Sequence, residues 1–235
     1  MIFLALFYYS FDKASVFGST LLNLGSGGPS YNAQLVHNPI ISGADKVVGA
    51  GALVLSPARS QYVQVPTFTS GGGGLSFAFW IQLYKSPYDT ASGIFDFGTD
   101  DGLNRIALTL INYVSGNCSV SAQSGSGNNV KYFSIGQYAD TWKHVAWTLG
   151  TDGYWRLYLN GDLLTSFGSM SYPTSVTRTS NQLGYSSLNG YSYLNGALDE
   201  FYYFPSVLSA AQVQALYLQG KPRWRERYIS PLRLV

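Results

Sequence analysis

The chain has 235 residues, of which 46% are apolar and 16% aromatic, a composition that fits a packed domain and excludes a disordered chain. Only 11% of the residues are charged, and five of the bases lie in the last fifteen residues, so the sequence predicts no nucleic-acid partner for the body before Lys221. The single cysteine, Cys118, excludes an internal disulfide scaffold, and no apolar stretch is long enough to predict a membrane span.

Strand signals begin at the start of the chain and recur between clusters of Gly, Ser, Asn and Pro. The apolar start has no basic segment and no cleavage site, and it runs directly into the sequence YYSFD, so it predicts a first strand over residues 4–11 rather than a signal peptide. Short strands are expected over 51–55 and 62–65. Residues 75–84 (LSFAFWIQLY) carry apolar side chains on both faces, which predicts a central strand covered on both sides.

The second half of the chain continues the same pattern. Further strands are expected over residues 93–98, 105–114, 119–123, 141–149, 155–159, 181–185 and 197–204. Asn160-Gly161 lies between two alternating runs and predicts a tight hairpin, because both residues tolerate positive φ. One helix is expected over 208–217, with Ser209 as its N-cap and Gly220 at its end.

About a dozen short strands with one late helix are typical of an all-β domain made of two antiparallel sheets. We therefore predict a two-sheet antiparallel β-sandwich with one short C-terminal helix over residues 1–220. Residues 221–235 (KPRWRERYISPLRLV) fall outside the strand pattern and are predicted to be a basic and aromatic C-terminal tail.

The order of six segments resembles the laminin-G-like group of the concanavalin A-like jelly rolls. These segments are 8–12 (YYSFD), 47–55 (VVGAGALVL), 75–81 (LSFAFWI), 142–146 (WKHVA), 158–161 (YLNG) and 196–201 (GALDEF). The resemblance runs from about residue 4 to 218 and implies a jelly-roll sandwich over nearly the whole chain. It does not imply one function, because the group includes lectins, adhesion domains, hydrolases and structural modules.

A polysaccharide hydrolase of this kind would need two carboxylates on either side of the scissile bond. The chain has only two glutamates, Glu200 and Glu226, and neither has a second acid at the alternating spacing seen in the hydrolases of this superfamily. Two histidines, His37 and His144, lie far apart, and the resemblance implies a buried structural role for His144. Cys118 has no evident catalytic partner, so the sequence favours a protein that is not an enzyme.

Calcium is the one metal for which the sequence offers candidate ligands. Asp96, Asp100, Asp101 and Asn104 form the densest group of oxygen donors, in the segment DFGTDDGLN, and laminin-G-like domains often bind Ca²⁺ at a rim loop. A solvated turn between two strands is the alternative interpretation. Asp12 and Asp199 lie in the first and last strands, where the resemblance places recurrent aspartates. They are expected to bind backbone N–H groups, and a ligand or metal role is the alternative.

A polar and aromatic loop over residues 185–195 (YSSLNGYSYLN) is the predicted ligand site. Aromatic faces with amide and hydroxyl groups bind sugars, and they also suit a protein ligand. The candidate ligand-binding residues are Tyr185, Asn189, Tyr191, Tyr193 and Asn195. The loop over 85–92 is a weaker candidate for the same rim.

The leading hypothesis is therefore a non-catalytic module that binds a glycan or protein ligand in an extracellular or cell-surface setting. Asn117-Cys118-Ser119 matches an N-glycosylation sequon, which is compatible with that setting without establishing it. The first alternative is an assembly subunit that contacts a partner subunit through residues 221–235. The second alternative is a polysaccharide-active hydrolase.

Overall fold

Short runs of apolar, β-branched and aromatic residues, separated by turns rich in Gly and Asn, form strands throughout the molecule. The structure is a computed structural model, and it describes residues 4–84, 91–125, 127–136, 141–188 and 190–220. In chain order the strands are β1 (Phe7–Tyr9), β2 (Val16–Phe17), β3 (Thr20–Leu21), β4 (Ala33–Val36), β5 (Ile40–Ser42), β6 (Ala52–Leu55), β7 (Tyr62–Gln64), β8 (Phe68–Ser70), β9 (Leu75–Leu83), β10 (Ser92–Gly98), β11 (Asn104–Asn112), β12 (Asn117–Ser124), β13 (Gly127–Ser134), β14 (Lys143–Leu149), β15 (Trp155–Leu159), β16 (Asp162–Phe167), β17 (Val176–Arg178), β18 (Ser180–Leu183) and β19 (Gly196–Phe204). The α-helix found among the described residues is α1 (Ala210–Gly220).

The strands form two large sheets. Sheet I has eight strands, in the order β16-β15-β14-β9-β19-β6-β5, with β1 paired to β19. Sheet II has nine strands, in the order β13-β12-β11-β10-β18-β7-β4-β3-β2, and β8 forms a separate small sheet with β17. The pairings within both sheets are antiparallel. The predicted all-β antiparallel sandwich is confirmed.

The hydrophobic core lies between the two sheets and is rich in aromatic rings. Phe77 of sheet I packs on Phe95 of sheet II with ring centroids 4.5 Å apart, and Trp147 meets Trp155 edge-on at 5.2 Å. All four side chains are fully buried. Aromatic pairs of this kind contribute ~0.5–1.5 kcal/mol beyond the area they bury. The Phe77–Phe95 pair therefore joins the two sheets at the centre of the sandwich, whereas Trp147 and Trp155 pack together within sheet I.

Strand β9 is covered on both faces, as its sequence predicts. Phe77 and Phe79 lie in the main core between the sheets. Ala78, on the opposite face, belongs to a second apolar cluster with Val213 and Leu216 of α1. The C-terminal helix thus packs on the outer surface of sheet I, on the side away from sheet II.

The start of α1 has the hydrogen bonds of a capping box. The Ser209 hydroxyl accepts a hydrogen bond from the Gln212 backbone N–H at 3.3 Å, and the Gln212 side chain accepts one from the Ser209 N–H at 2.8 Å. These two bonds satisfy donors that would otherwise be unpaired at the helix start. The predicted N-cap is confirmed.

The first and last strands lie side by side, because β1 pairs with β19. Asp199 accepts hydrogen bonds from the backbone N–H groups of Val47 at 2.9 Å and Val48 at 3.1 Å. Asp12 accepts one from the N–H of Ala50. The two carboxylates hold the connection that leads into β6, so the backbone role predicted for both is confirmed.

Strand β19 changes its neighbour at a bulge. Its first residues pair with β6 and its later residues with β1, and its register against β9 shifts between Asp199 and Tyr202. Glu200 sits in this bulge with a φ of 52°, in the left-handed region. Its carboxylate accepts hydrogen bonds from the hydroxyls of Tyr202 at 2.6 Å and Tyr8 at 2.9 Å. Glu200 is therefore occupied by structural contacts.

The structure differs from the sequence-based expectations in several elements. The first strand is shorter than predicted. Seven strands were not predicted, because they are short or carry few apolar residues: β2, β3, β4, β5, β8, β13 and β17. Residues 221–235 lie outside the described residues, so the boundary at 220 stays a prediction. No helix in the described ranges has the length and apolar character needed to cross a membrane.

Candidate functional site

The outer face of sheet II carries a row of polar side chains. Two rows of paired residues cross six strands of this sheet. One row faces the core and the other faces outward, because neighbouring residues of a strand point to opposite sides. The inner row is Leu35, Val63, Leu183, Phe95, Leu108 and Val120, which belong to the core. The outer row is Gln34, Gln64, Gln182, Asp96, Ala107 and Ser121. The outer face is therefore built mainly from polar residues.

A groove of about 180 Å³ lies on the β11, β12 and β13 part of this face. The loop over 185–195 provides one wall, and the strands provide the floor and the opposite wall. The lining residues are Arg105, Thr109, Ser119, Ser121, Gln123, Asn128, Val130, Tyr132, Leu188 and Tyr191. Hydroxyl and amide groups dominate, and Arg105 is the one charged side chain in this described lining. Tyr132 is 68% exposed, so its ring is available to a ligand.

A buried ion pair fixes the base of the groove wall. The Arg105 guanidinium donates to Asp96 Oδ2, and both side chains are buried. The same carboxylate oxygen accepts from the Ser186 hydroxyl at 2.7 Å and from the Ser187 backbone N–H at 3.2 Å. Arg105 also donates to the Ser187 hydroxyl at 3.2 Å. These contacts hold the start of the 185–195 loop against the sheet.

The groups around Asp96 act on its pKa in opposite directions. Burial raises the pKa of Asp96, while the Arg105 guanidinium and the hydrogen bonds from Ser186 and Ser187 act in the opposite direction. Asp96 Oδ1 and Arg105 Nε are both buried without a hydrogen-bond partner among the described residues. The pair therefore works as a fixed structural anchor under the loop, and it brings no net charge to the groove.

The predicted ligand loop divides into two parts. Tyr191 lines the groove, together with Leu188. Tyr185 and Tyr193 instead stack on each other, with centroids 4.5 Å apart and planes at 18°, on the other side of the loop. The backbone N–H of Asn195 donates to the Tyr113 hydroxyl at 2.7 Å, which ties down the loop end. Asn189 and most of the weaker candidate loop over 85–92 lie outside the described residues.

The four candidate calcium ligands have different surroundings and different hydrogen-bond partners. Asp96 is buried in the ion pair under the loop, whereas Asp100 lies exposed on the turn. Asp101 accepts hydrogen bonds from the Thr99 hydroxyl and from the Leu103 N–H at 2.9 Å, and Asn104 Oδ1 accepts from the Gly125 N–H at 3.4 Å. No group of three or more His, Cys, Asp or Glu suited to a metal occurs in the described part of the chain.

These contacts do not fit a calcium site formed by the four residues together. Asp96 departs most from the expectation, because a rim ligand would need a carboxylate open to solvent. Calcium binding by this chain stays a prediction, and the geometry favours the alternative of a turn stabilised by its own hydrogen bonds.

His144 and Cys118, which lie outside the groove, are buried in structural positions. His144 is buried beside Trp80, with ring centroids 5.3 Å apart, and burial lowers its pKa to about 4. Cys118 is buried, and burial raises the pKa of its thiol. His37 lies on the surface and its Nδ1 is 2.8 Å from the Ser60 carbonyl oxygen. The structural interpretation of His144 and Cys118 agrees with this placement.

The match of the chain to known families agrees with this architecture. A laminin-G family model, described as concanavalin A-like lectin/glucanases superfamily, matches residues 57–214, which is more than half of the chain. The chain belongs to the concanavalin A-like lectin/glucanases superfamily. This superfamily was the one indicated by the order of the strand motifs. A search of the curated proteins finds no match.

Solved structures of the superfamily fold are similar over most of the chain. Domain 4 of AbnA, a GH43 extracellular arabinanase from Geobacillus stearothermophilus solved with arabinotriose, has a TM-score of 0.68 at 22% identity, covering 91% of this chain and 98% of that chain. The botulinum neurotoxin serotype G binding domain has a TM-score of 0.67 at 15% identity, covering 91% of this chain and 50% of that chain. The binding domain of botulinum neurotoxin DC in complex with SialylT has a TM-score of 0.68 at 13% identity, covering 93% of this chain and 52% of that chain.

The chain thus spans about half the length of these toxin domains and nearly all of the arabinanase domain. At these identities the likeness concerns the fold.

Sequence reasoning missed most of the groove. Thr109, Ser119 and Ser121 are common strand residues, and their positions on the outer face follow only from the register of β11 with β12. Strand β13, which supplies Asn128 and Tyr132, was not predicted at all. One signal was present in the sequence, because Ser119, Ser121 and Gln123 alternate with the apolar residues of the same strand.

Proposed function

We propose that this chain is a non-catalytic module that binds a neutral glycan in the groove on the outer face of sheet II. The observation that carries the proposal is the lining itself, in which the Ser121 hydroxyl and the amides of Gln123 and Asn128 share one side of β12 and β13. The buried hydroxyls of Thr109 and Ser119, which hydrogen-bond each other at 2.7 Å, complete the polar floor. Hydroxyl and amide groups donate and accept hydrogen bonds without a net charge, as sugar hydroxyls require.

Two tyrosines add apolar surface to this polar floor. Tyr132 stands on β13 and Tyr191 on the loop, and both line the groove. Tyrosine offers a large flat contact area at low cost in side-chain entropy, and the less polar face of a sugar ring packs on such a surface. The arabinanase domain of similar fold was solved with arabinotriose, a neutral oligosaccharide, which supports the choice of ligand class.

The groove supports binding more than hydrolysis. A glycosidase uses two carboxylates roughly 5–9.5 Å apart across the scissile bond. The described lining of the groove contains no carboxylate, and Asp96 beneath it is paired with Arg105. A glycan-binding role also supports the extracellular or cell-surface setting expected from the sequence, which stays a prediction.

The test is a glycan-array screen followed by calorimetric titration. The array includes arabinotriose, neutral fragments of xylan and mannan, and sialylated glycans, and it is run with Ca²⁺ and again with EDTA. We expect binding of neutral glycans that survives EDTA. Binding abolished by EDTA would instead support the predicted calcium dependence. Absence of binding in both conditions would refute the proposal.

Two variants locate the site. Tyr132→Ala removes an exposed ring from the groove wall, and Ser121→Trp fills the groove floor, so both are expected to weaken binding at least roughly ten-fold, or about 1.4 kcal/mol. Tyr172→Ala and Ser166→Trp are matched controls, since Tyr172 is 41% exposed, Ser166 lies exposed on edge strand β16, and neither residue lines the groove. Equal effects of groove and control variants would place the ligand elsewhere.

A further inference from the structure

We propose that the outer face of sheet II has a second glycan-contacting region on the far side of the 185–195 loop, so that the chain prefers an extended neutral polysaccharide to a short sugar. The region consists of Tyr62, Gln64 and Gln182 beside the stacked pair Tyr185 and Tyr193. The inference rests on the proposed glycan-binding function, and it specifies the length of ligand that the face accommodates.

The second region continues the floor of the groove across the sheet. Gln182 is the register partner of both Asp96 and Gln64, and Asp96 is the partner of Ala107, which leads to Ser121 in the groove. The residues on both sides of the loop therefore belong to one row on one face. The loop crosses this row where Ser186 and Ser187 bind Asp96, and it separates the face into two halves.

One amide of the second region, that of Gln182, has an unused hydrogen-bond acceptor among the described residues. Gln182 is only 7% exposed, and its Oε1 is buried without a partner in the described part of the molecule, while its Nε2 donates to the Ser180 hydroxyl at 3.2 Å. Gln64 Nε2 donates to the carbonyls of Asn181 at 3.0 Å and Val65 at 3.2 Å, which fixes its orientation. A buried acceptor without a partner is costly, so Gln182 gains a hydrogen bond when its amide turns outward to meet a ligand hydroxyl.

Three tyrosine rings form a prearranged platform beside these amides. Tyr185 and Tyr193 stack, and Tyr62 packs against them with centroids 5.6 Å from Tyr185 and 6.1 Å from Tyr193. All three are partly exposed, and Tyr62 is on the outer face because its neighbour Val63 lies in the core. Rings that are already held by mutual packing lose little side-chain entropy when a ligand binds.

The chemistry of the region selects a neutral ligand. The region consists of three tyrosines and two glutamines, with no acidic or basic residue among them, and the Arg105 guanidinium between the two halves is paired with Asp96. Amide groups next to aromatic rings match the hydroxyls and apolar ring faces of a neutral sugar. An anionic polysaccharide would find no free cation among these residues.

The separation of the two halves sets the ligand length. Four strand spacings separate β12 in the groove from β7 in the second region, which corresponds to about 19 Å at ~4.8 Å per spacing. A trisaccharide fits in one half, whereas an octasaccharide is long enough to pass over the loop and contact both. The second contact then raises affinity without a second encounter in solution.

The experiment compares trimers and octamers of arabino-, xylo- and manno-oligosaccharides by calorimetric titration. For the sugar that binds, we expect the wild-type chain to bind the octamer roughly ten-fold or more tightly than the trimer, the gain of about 1.4 kcal/mol expected for one further good contact. Tyr62→Ala should reduce octamer affinity to that of the trimer while leaving trimer affinity unchanged. Tyr132→Ala should weaken both ligands, and Tyr172→Ala should weaken neither.

A second variant, Gln64→Ala, keeps the test valid if Tyr62→Ala lowers thermal stability, and it should reduce the octamer advantage in the same way. Equal affinity of trimer and octamer for the wild-type chain, or an octamer advantage that survives both variants, would overturn the second region and leave the groove proposal intact. If no oligosaccharide of any length binds, the proposed function fails and this inference fails with it.

Discussion

Replacing Asp96 by alanine is expected to destabilise the domain by ~3–5 kcal/mol, because the Arg105 guanidinium would remain buried without its carboxylate. The side chain of Arg105 is only 8% exposed and that of Asp96 only 1% exposed, so water cannot replace the lost partner easily. The substitution also removes the acceptor for the Ser186 hydroxyl and the Ser187 N–H. The large expected effect thus comes from one uncompensated charge together with two lost hydrogen bonds.

Urea unfolding followed by tryptophan fluorescence measures this effect, with the midpoint and the slope m fitted together. Asp100→Ala is the matched control, because Asp100 lies exposed four residues further along the chain, and it should change stability by less than ~0.5 kcal/mol. The double variant Asp96→Ala/Arg105→Ala should be no less stable than Asp96→Ala alone, since it also removes the stranded charge.

A loss for Asp96→Ala no larger than that of Asp100→Ala would refute the reasoning. So would a double variant whose loss equals the sum of the two single losses, because the pair would then show no coupling. Asp96→Ala should also weaken glycan binding in the folded protein, since the 185–195 loop loses two of its anchors to the sheet.

Three other features lead to direct tests. Burial raises the pKa of Asp199 to about 7. The folded state therefore keeps a proton that the unfolded state releases above pH ~4. Because of this difference, the free energy of unfolding should fall by ~2–4 kcal/mol between pH 4 and pH 8. Urea unfolding across that range should show a smaller fall for Asp199→Asn, and an identical fall would contradict the assignment. Gly220→Ala should cost ~1–3 kcal/mol because a Cβ there would lie 2.4 Å from Trp80 Nε1, whereas Gly73→Ala, with open space around it, should not. Arg178 is fully buried and donates hydrogen bonds to two backbone carbonyls and a hydroxyl. Arg178→Met should therefore clearly lower the midpoint temperature of thermal unfolding. An unchanged midpoint would show that these bonds contribute nothing to stability.

The parts of the fold that sequence could predict are those with strong local signals. The apolar run of β9, the Asn160-Gly161 turn and the Ser209 cap each depend on a few neighbouring residues, and each appears in the structure as expected. Asn160 and Gly161 both have positive φ, at 51° and 86°. Local preference and final structure agree at these places, which is why short motifs sufficed.

The candidate site was less predictable because it depends on pairing between distant strands. Tyr191 was expected to contact a ligand from the composition of its loop, and the structure places it in the groove lining. Tyr62 could not be connected with Tyr185 from sequence, since the contact requires β7 to pair with β18. The buried pairing of Asp96 with Arg105 likewise depends on the register of β10 with β11.

The pairing of β1 with β19 has a consequence for how the domain reaches its folded state. Strand β19 lies between β9 and β6 and also pairs with β1, so three strands of sheet I pair with a segment that follows all of them in the chain. During synthesis, sheet I cannot close until residues 196–204 have left the ribosome. Until then the apolar surfaces of β9 and β1 lack the strand that pairs with them. Contacts between such distant segments also form slowly. We therefore expect nascent chains stalled before β19 to be protease-sensitive and to bind chaperones, and chains stalled well beyond it to become protected.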